Sequence, residues 1–173
     1  MTELTVQDEE VYQFHQTPPA LARDLLRYVP LLPLDVVAEP FRGEGAFYDN
    51  FPDYVEKKWA EITKGVDYTT LEDYDWVVTN PPFRLENERG KLVNSFWFLL
   101  DYYSTRARTG MAFLGNDTCF STLTPKRQAL LRERGWYITT IVVCSVKKWR
   151  GRYFFIVFQR IPTHFVEYLP TNY

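Results

Sequence analysis

The sequence predicts an open α/β sheet with helices on both of its faces. Short apolar segments alternate with helical segments along most of the chain, a pattern typical of parallel strands joined by crossover helices. Two apolar segments near the C-terminal end predict a closing antiparallel pair. The chain has 173 residues, 46% of them hydrophobic, so we expect residues 1–173 to form one domain built on a mostly parallel, doubly wound sheet.

The individual elements are predicted from local patterns. Leucines at helical spacing follow Thr17, which is placed as an N-cap, and prolines occupy the first turn. The predicted helices are 18–28, 44–50, 88–106 and 125–134, and the predicted strands are 35–39, 58–62, 75–79, 110–115, 137–143 and 153–158. In such sheets ligands bind beyond the carboxyl ends of the strands, so the loops after Glu39 and Thr79 are the expected site.

Composition excludes several classes of protein. No apolar run approaches the ~20 residues of a membrane span, and the acidic N-terminus lacks the pattern of a secretory signal. Cys119 and Cys144 are too few for a disulfide framework and have no metal-ligand spacing. We therefore expect no metal and an intracellular location, cytoplasmic or nuclear, which includes a phage or viral protein made in its host.

The charges are distributed unevenly along the chain. Residues 1–83 contain six Lys or Arg and 16 Asp or Glu, whereas residues 84–160 contain 14 basic and five acidic residues. This change of sign favours an acidic first half and a basic surface that faces a polyanion in the second, although scattered surface charge would give the same count.

The loop after the first predicted strand has the sequence Glu-Pro-Phe-Arg-Gly-Glu-Gly, from Glu39 to Gly45. Gly43 and Gly45 would allow the backbone to approach a ligand closely. Because the spacing matches neither of the common phosphate-binding motifs, it favours a nucleoside without a pyrophosphate. Glu61, at the end of the next predicted strand, is placed to accept both ribose hydroxyls, and Asp67 to accept from an adenine amine.

The most specific motif is Asn80-Pro81-Pro82-Phe83, at the end of the strand predicted over 75–79. Two consecutive prolines lack backbone donors, end the strand and fix the local dihedral angles. The Asn80 side chain and the Pro81 carbonyl would then grip one exocyclic amine rigidly. Phe83 would provide a ring on which a planar base stacks. The motif predicts an active site for chemistry at a planar nitrogen.

These motifs together resemble the gamma-type DNA adenine-N6 methyltransferases of restriction-modification systems. The resemblance covers residues 14–83 and consists of Thr17-Pro18-Pro19, Glu39-Pro40-Phe41, Gly43, Gly45, Glu61, Asp67-Tyr68 and Asn80-Pro81-Pro82-Phe83. RNA adenine methyltransferases and protein glutamine methyltransferases share the Asn-Pro-Pro-aromatic motif. The Thr-Pro-Pro element favours the DNA type.

The resemblance implies a Rossmann-like class I fold, S-adenosylmethionine as cofactor and direct in-line methyl transfer to a flipped adenine. It also implies roles for individual residues. Those implied for the cofactor are Gln16, Thr17, Glu39, Phe41, Gly43, Gly45, Glu61, Asp67, Tyr68 and Asn80, and those implied for the target base and catalysis are Asn80, Pro81, Pro82 and Phe83.

The second half of the chain lacks the separate target-recognition region that such enzymes usually carry. The predicted helices and strands account for most of the residues between Phe83 and the end of the last strand. We therefore expect low sequence specificity or a protein partner that supplies it. RNA, or a non-catalytic binding role with the same fold, remains open as an alternative to DNA methylation. The predicted phosphate and base contacts are Lys126, Arg127, Lys147, Lys148, Trp149, Arg150 and Arg152.

Overall fold

A computed structural model describes residues 15–167 and residue 169, and it confirms the predicted fold class. Six strands form one sheet in the order β2-β1-β3-β6-β8-β7. These strands are β1 Val36–Glu39, β2 Glu56–Trp59, β3 Trp76–Thr79, β6 Gly110–Asn116, β7 Tyr137–Cys144 and β8 Tyr153–Gln159. Strands β1, β2, β3 and β6 are parallel, and β8 is antiparallel to both β6 and β7.

The strand order reverses between β1 and β3. From β1 the chain crosses outward to β2 and then returns to β3 on the other side of β1. Parallel register places Val37 opposite Trp76 and Ala38 opposite Val77, so β1 and β3 end at the same edge of the sheet. The loops that follow them are therefore neighbours, as expected for the ligand-binding edge of a doubly wound sheet.

The core consists of two layers, one on each face of the sheet. Alternate strand residues point to opposite faces: Val37 lies in one cluster and Ala38 in the other. Helix α1 (Pro19–Leu26) covers the first face through Ala22, Leu25 and Leu26. Helix α2 (Ser95–Ser104) covers the second face, together with α4 (Pro125–Glu133). Burial of both faces accounts for the apolar character of the strands.

Two predicted elements before β3 differ in the structure. The helix predicted over 44–50 is reduced to one 3₁₀ turn, Tyr48–Asn50, because Gly43 and Gly45 adopt positive φ and keep the preceding loop open. The strand predicted over 58–62 lies earlier, at Glu56–Trp59. Glu61 lies beyond it, where its side chain caps the 3₁₀ turn Ile62–Lys64.

The helix predicted over 88–106 begins only at Ser95. The chain before it forms a hairpin of β4 (Arg84–Glu86) and β5 (Leu92–Asn94), whose tip bends at Gly90 with a φ of 70°. The Asn94 side chain accepts from the backbone N–H of Phe96, which fixes the start of α2. A short helix, α3 (Thr118–Thr122), is an additional element that the sequence patterns did not predict.

None of the helices in the described part of the chain is both long enough and apolar enough to cross a membrane.

Gly110, the first residue of β6, packs directly against the ring of Trp76. A Cβ at Gly110 would lie 2.1 Å from the indole, which is fully buried in the core. We expect Gly110→Ala to lower the free energy of unfolding by about 1–3 kcal/mol through overpacking. Denaturant unfolding would measure this, with the exposed substitution Thr109→Ala as control. Equal stability of the two variants would contradict the predicted crowding.

Candidate active site

The carboxyl ends of β1, β2 and β3 bring the predicted site segments together. The Glu39 carbonyl accepts from Ala60 N (3.0 Å), and the Ala60 carbonyl accepts from Arg42 N (3.0 Å). These bonds join the loop after β1 to the segment after β2. The loop after β3 is held to the segment around Thr17 by the side chain of Asn80. The segment around Thr17 and the segments that follow β1, β2 and β3 therefore lie together at one edge of the sheet.

The side chains of Glu61 and Gln16 accept hydrogen bonds from the backbone of the glycine loop after β1. Glu61 is 4% exposed, and its Oε2 accepts from Gly43 N at 2.7 Å, whereas its Oε1 accepts from the backbone N–H and hydroxyl of Thr63. Gln16 Oε1 accepts from Glu44 N at 3.1 Å. A Cβ on Gly43 would lie 2.5 Å from Gln16 Oε1, and the φ of 54° at Gly43 also favours glycine. The loop thus forms a preorganised backbone cradle.

Glu39, at the end of β1, is a buried carboxyl group beneath this cradle. Its exposure is 2%, and within the described residues its Oε2 has no hydrogen-bond partner. Burial raises the pKa of Glu39 well above its ordinary value, against the opposing effects of a backbone hydrogen bond from Tyr48 and of the Arg42 charge. A cationic ligand bound over the loop would favour the ionised form of this carboxyl.

Asn80 follows β3 and has a fixed side-chain orientation. Its Nδ2 donates to Thr17 Oγ1 (3.1 Å) and to the carbonyl of His15 (3.3 Å). Both N–H groups of the amide are thereby used, so Oδ1 is the end left for a ligand. This arrangement agrees with the predicted function of Asn80 as a hydrogen-bond acceptor.

Ser95 holds the same loop from the other side, a contact that the sequence analysis missed. Its backbone N–H donates to the Phe83 carbonyl (3.1 Å), and its hydroxyl donates to the Pro82 carbonyl. Among the described residues the Pro81 carbonyl receives no such bond. Pro81 O and Asn80 Oδ1 therefore remain as two rigid acceptors. Local sequence gave no signal for this role, because the contact depends on where α2 begins.

Phe83 stands at the surface next to these acceptors. Its ring is 42% exposed and meets the His15 ring edge-on, with centroids 4.9 Å apart. An exposed aromatic ring at this position is a candidate surface for stacking of a planar base.

A second group of rings lies after β1 and β2. Phe41 and Tyr68 are 5.3 Å apart, both half-buried, and burial raises the pKa of Tyr68. Asp67 Oδ1 caps the next turn by accepting from the backbone N–H (2.8 Å) and hydroxyl (2.6 Å) of Thr69. Ile62, which directly follows Glu61, is 65% exposed and adds an apolar surface that the sequence analysis did not single out.

The basic residues predicted to contact nucleic acid fall into two groups. Lys126, Lys147, Lys148, Arg150 and Arg152 are exposed. Asn116, Cys144 and Tyr153 lie at the same sheet edge, so the turn that joins β7 to β8 lies on the site side. Lys148 lines a cleft of about 280 Å³ that also contains Gln16, Thr17 and Glu44.

Two of the residues predicted to contact nucleic acid, Trp149 and Arg127, make packing contacts within the protein. Trp149 is 5% exposed and packs on Tyr153 with ring centroids 4.5 Å apart, so its indole is not available to stack on a base. Arg127 donates to the Thr122 carbonyl (2.8 Å) and lies over the ring of Trp97. Binding of nucleic acid by these two residues stays a prediction, and the structure gives both of them contacts within the protein.

The described residues contain no group of three or more His, Cys, Asp or Glu side chains arranged to hold a metal ion. Burial raises the pKa of the Cys119 thiol to about 12, so this cysteine stays protonated at neutral pH.

Several solved structures resemble this fold. A Listeria monocytogenes protein assigned to the class I S-adenosylmethionine-dependent methyltransferases matches with a TM-score of 0.62 and 11% identity, over 98% of this chain and 66% of its own. The modification subunit assigned to a type I restriction enzyme of Vibrio vulnificus YJ016 matches with a TM-score of 0.61 and 15% identity, over 84% and 44%. TrmN from Thermus thermophilus matches with a TM-score of 0.56 and 16% identity, over 87% and 51%.

The fold is that of the class I methyltransferases. The chain spans 44% to 66% of the length of these three proteins, and at this level of identity the likeness concerns the fold. No protein-family model and no curated protein matches the sequence.

Removal of the Ser95 hydroxyl tests how the loop is held. We expect Ser95→Ala to lower the free energy of unfolding by about 1 kcal/mol, because the Pro82 carbonyl loses its partner. Hydrogen exchange of the amides next to this loop should accelerate. Ser121→Ala removes a hydroxyl that donates to the Thr118 carbonyl on exposed α3, and serves as control. Unchanged exchange near Asn80 would show that the loop is rigid without Ser95.

The buried carboxyl of Glu39 predicts a pH-dependent stability. Because its folded-state pKa lies above the ordinary value of 4.5, folding binds a proton, and this contribution is lost as pH rises from 4.5 through the raised value. Relative to wild type, Glu39→Gln should gain stability over this range, with a slope of at most about 1.4 kcal/mol per pH unit. Urea unfolding between pH 4.5 and 8 measures it, with exposed Glu133→Gln as control. Parallel profiles for wild type and Glu39→Gln would disprove the effect.

Proposed function

We propose that the protein is a DNA adenine-N6 methyltransferase that uses S-adenosylmethionine. The observation that carries the proposal is the pair of rigid acceptors in the loop after β3. Asn80 Oδ1 and Pro81 O remain for a ligand, while neighbouring residues hold the rest of the loop. Two acceptors on adjacent residues beside an exposed ring suit the exocyclic amine of a planar base.

The cofactor would lie over the glycine loop, with the residues there in separate roles. The Gly43–Gly45 backbone and Gln16 would surround its methionine part, next to Thr17. Glu61 Oε2 accepts one bond from Gly43 N, which leaves it capacity to accept a second from a ribose hydroxyl. The Phe41 and Tyr68 rings and the exposed side chain of Ile62 would surround the adenine, and Asp67 would accept from its amine.

The charge of the cofactor fits the acidic side chains of this site. S-adenosylmethionine carries a sulfonium and an ammonium group, and among the described residues one oxygen of the buried Glu39 carboxyl has no hydrogen-bond partner. A cation above Glu39 would stabilise its ionised form, as any opposite charge near a buried carboxyl does. When bound, the cofactor supplies an electrophilic methyl group and leaves as S-adenosylhomocysteine.

The protein's own contribution to the reaction is orientation. By accepting the two amine hydrogens, Asn80 Oδ1 and Pro81 O would turn the nitrogen lone pair toward the methyl group. As the new N–C bond forms, the nitrogen becomes positively charged, and the two oxygens stabilise that charge until one proton leaves to water. Because the methyl group would pass directly to the nitrogen held by these two oxygens, no covalent intermediate with the protein would be required. Positioning of this kind lowers a barrier by several kcal/mol.

Nucleic acid is the proposed substrate because exposed cations lie on the same side of the sheet. Lys147, Lys148, Arg150 and Arg152 are on the β7–β8 turn, and Lys126 is in the first turn of α4. Phosphate neutralisation by such residues gives affinity without sequence information. The Thr17-Pro18-Pro19 element favours DNA over RNA, and in a duplex the target base must be flipped out first.

Target choice is proposed to involve a protein partner. Within the described chain after Phe83, the additions to the sheet and its helices are the β4–β5 hairpin and short connections. A hairpin of two three-residue strands offers few side chains for reading several base pairs.

Transfer of radiolabelled methyl groups tests the proposal directly. Wild-type protein and labelled S-adenosylmethionine are incubated separately with unmethylated DNA, with RNA and with bulk protein. We expect label in DNA, recovered as N6-methyladenine after hydrolysis. Label in RNA alone would reassign the substrate, and label in none, with no calorimetric heat for the cofactor, would indicate a non-catalytic protein.

Asn80→Ala separates chemistry from cofactor binding. The variant should lose transfer by about 100-fold or more, because the amine is no longer held by two acceptors, while cofactor affinity changes little. Glu61→Ala is the comparison variant, in which cofactor affinity itself should weaken by about 1–3 kcal/mol. Calorimetry and single-turnover assays measure the two quantities. Comparable loss of cofactor affinity in Asn80→Ala would contradict its assigned role.

A further inference from the structure

The β4–β5 hairpin extends into solvent directly beside the loop after β3. Its first strand begins at Arg84, the residue after Phe83, and the Ser95 backbone N–H donates to the Phe83 carbonyl at 3.1 Å. This bond adds one more rung at the base of the hairpin, so the hairpin and the loop are joined without a flexible connection. From residue 86 to residue 92, every residue except Asn87 is exposed.

The two faces of the hairpin have different surroundings. Leu85 is half-buried and packs against the core cluster on the α2 side of the sheet. Side chains alternate along a strand, so the neighbouring pairs of the ladder point away from that core. The exposed residues of these pairs are Arg84, Glu86, Leu92 and Asn94. Leu92 is the one apolar residue among these four, and its exposure is 61%.

Cations lie on the hairpin on either side of Leu92. Lys91 precedes it, Arg89 is at the tip and Arg84 is at the base, and all three are exposed. Within the described residues none of the three forms an ion pair. Asn87 Oδ1 accepts from the backbone N–H groups of Arg89 and Lys91, both at 3.0 Å, which fixes the tip. Residues 84–94 also contain two carboxylates, so their net charge is slightly positive.

We propose that the hairpin enters the major groove of duplex DNA and that Leu92 inserts into the base stack at the position that the flipped adenine leaves. This inference rests on the proposed function. The major groove is about 12 Å wide and admits a two-stranded β-ribbon. Exposed apolar side chains act as wedges in proteins that open the base stack, and nearby cations neutralise phosphates. The hairpin offers both kinds of side chain beside the loop that would receive the base.

The position of Leu92 along the hairpin suits this task. It precedes Ser95 by three positions, and Ser95 pairs with Phe83, the ring proposed to stack on the base. At about 3.3 Å per residue, Leu92 lies about 10 Å from that rung. A flipped nucleotide rotates about its own backbone, so the place it leaves in the stack stays close to the pocket. A side chain fixed at this distance can fill that place while the base is bound.

Opening of the duplex can be measured separately from methyl transfer. Leu92→Ala removes the wedge, Leu92→Met keeps an apolar side chain of similar length, and Leu92→Gln is a second variant without the apolar surface. Leu32→Ala is the matched control, because Leu32 is 63% exposed and precedes β1 at the opposite edge of the sheet. Each protein is assayed on a duplex that wild type methylates, on its single strand, and on the same duplex with a mismatch opposite the target adenine. The fluorescence of 2-aminopurine at the target position reports unstacking without any transfer.

The expected result is a defect that depends on base pairing. In Leu92→Ala and Leu92→Gln, kcat/KM on the duplex relative to the single strand should fall by about 10- to 100-fold, because the cost of unstacking is no longer offset. The 2-aminopurine signal should fall with it. A mismatch makes opening easier and should restore most of the lost rate. Leu92→Met and Leu32→Ala should keep the wild-type ratio.

The possible outcomes distinguish this inference from the proposed function. If wild type methylates duplex DNA and both Leu92→Ala and Leu92→Gln keep its rate ratio and its 2-aminopurine signal, the assignment of Leu92 is wrong and the proposed function stands. Transfer by wild type to single-stranded DNA alone would have the same consequence. Transfer to no DNA at all would disprove the proposed function and this inference together. Thermal unfolding checks the fold of each variant, and loss of folding in both would contradict the exposed position of Leu92.

Discussion

The parallel pairing of β1 with β3 is the constraint on which the site depends. Val37 and Ala38 lie opposite Trp76 and Val77, so the two strands end level with one another. A shift of one residue in this register would turn the alternating core residues toward the wrong faces, and the two buried clusters prevent it. The glycine loop and the loop after β3 therefore lie at the same edge of the sheet, and residues 15–17 contact both of them: Gln16 accepts from Glu44 N and Thr17 accepts from Asn80. Packing of the core thus fixes the positions of the two loops that form the candidate site.

The sequence was sufficient to predict the strands of the sheet and the loops that carry the site, because these depend on local apolar runs and on proline or glycine. The elements it predicted incorrectly depend on contacts that are distant in sequence. Residues 84–94 carry a weak strand pattern beside the strongly aromatic Phe96–Leu100, so the helical signal extended too far. The role of Ser95 depends on α2 reaching the loop after β3, and no local pattern reports that contact.

Trp149 and Glu61 make contacts in the structure that differ from those predicted from the sequence. Trp149 lies among lysines and arginines in sequence, yet its ring is buried while its charged neighbours are exposed. Glu61 was expected to bind a ribose, and the structure gives it a second role, since one oxygen holds Gly43 N and the other holds Thr63. Loss of this carboxylate would therefore relax the cradle, and under the proposed function it would also remove a cofactor contact.

The β4–β5 hairpin is a part of the protein in which the sequence can change without disturbing the loop after β3. The hairpin begins at Arg84, directly after the loop that follows β3, and ends at Asn94, and these two residues pair across the ladder. Its stem is closed at the base, and the tip from Asn87 to Gly90 is held by its own bonds to Asn87. The exposed Glu88 and Arg89 at the tip can therefore be exchanged at little cost to the stem, whereas Asn87 and Gly90 hold the turn. The tip of the hairpin can therefore vary in sequence, although it lies only a few residues from the loop Asn80–Phe83, whose conformation its neighbours fix.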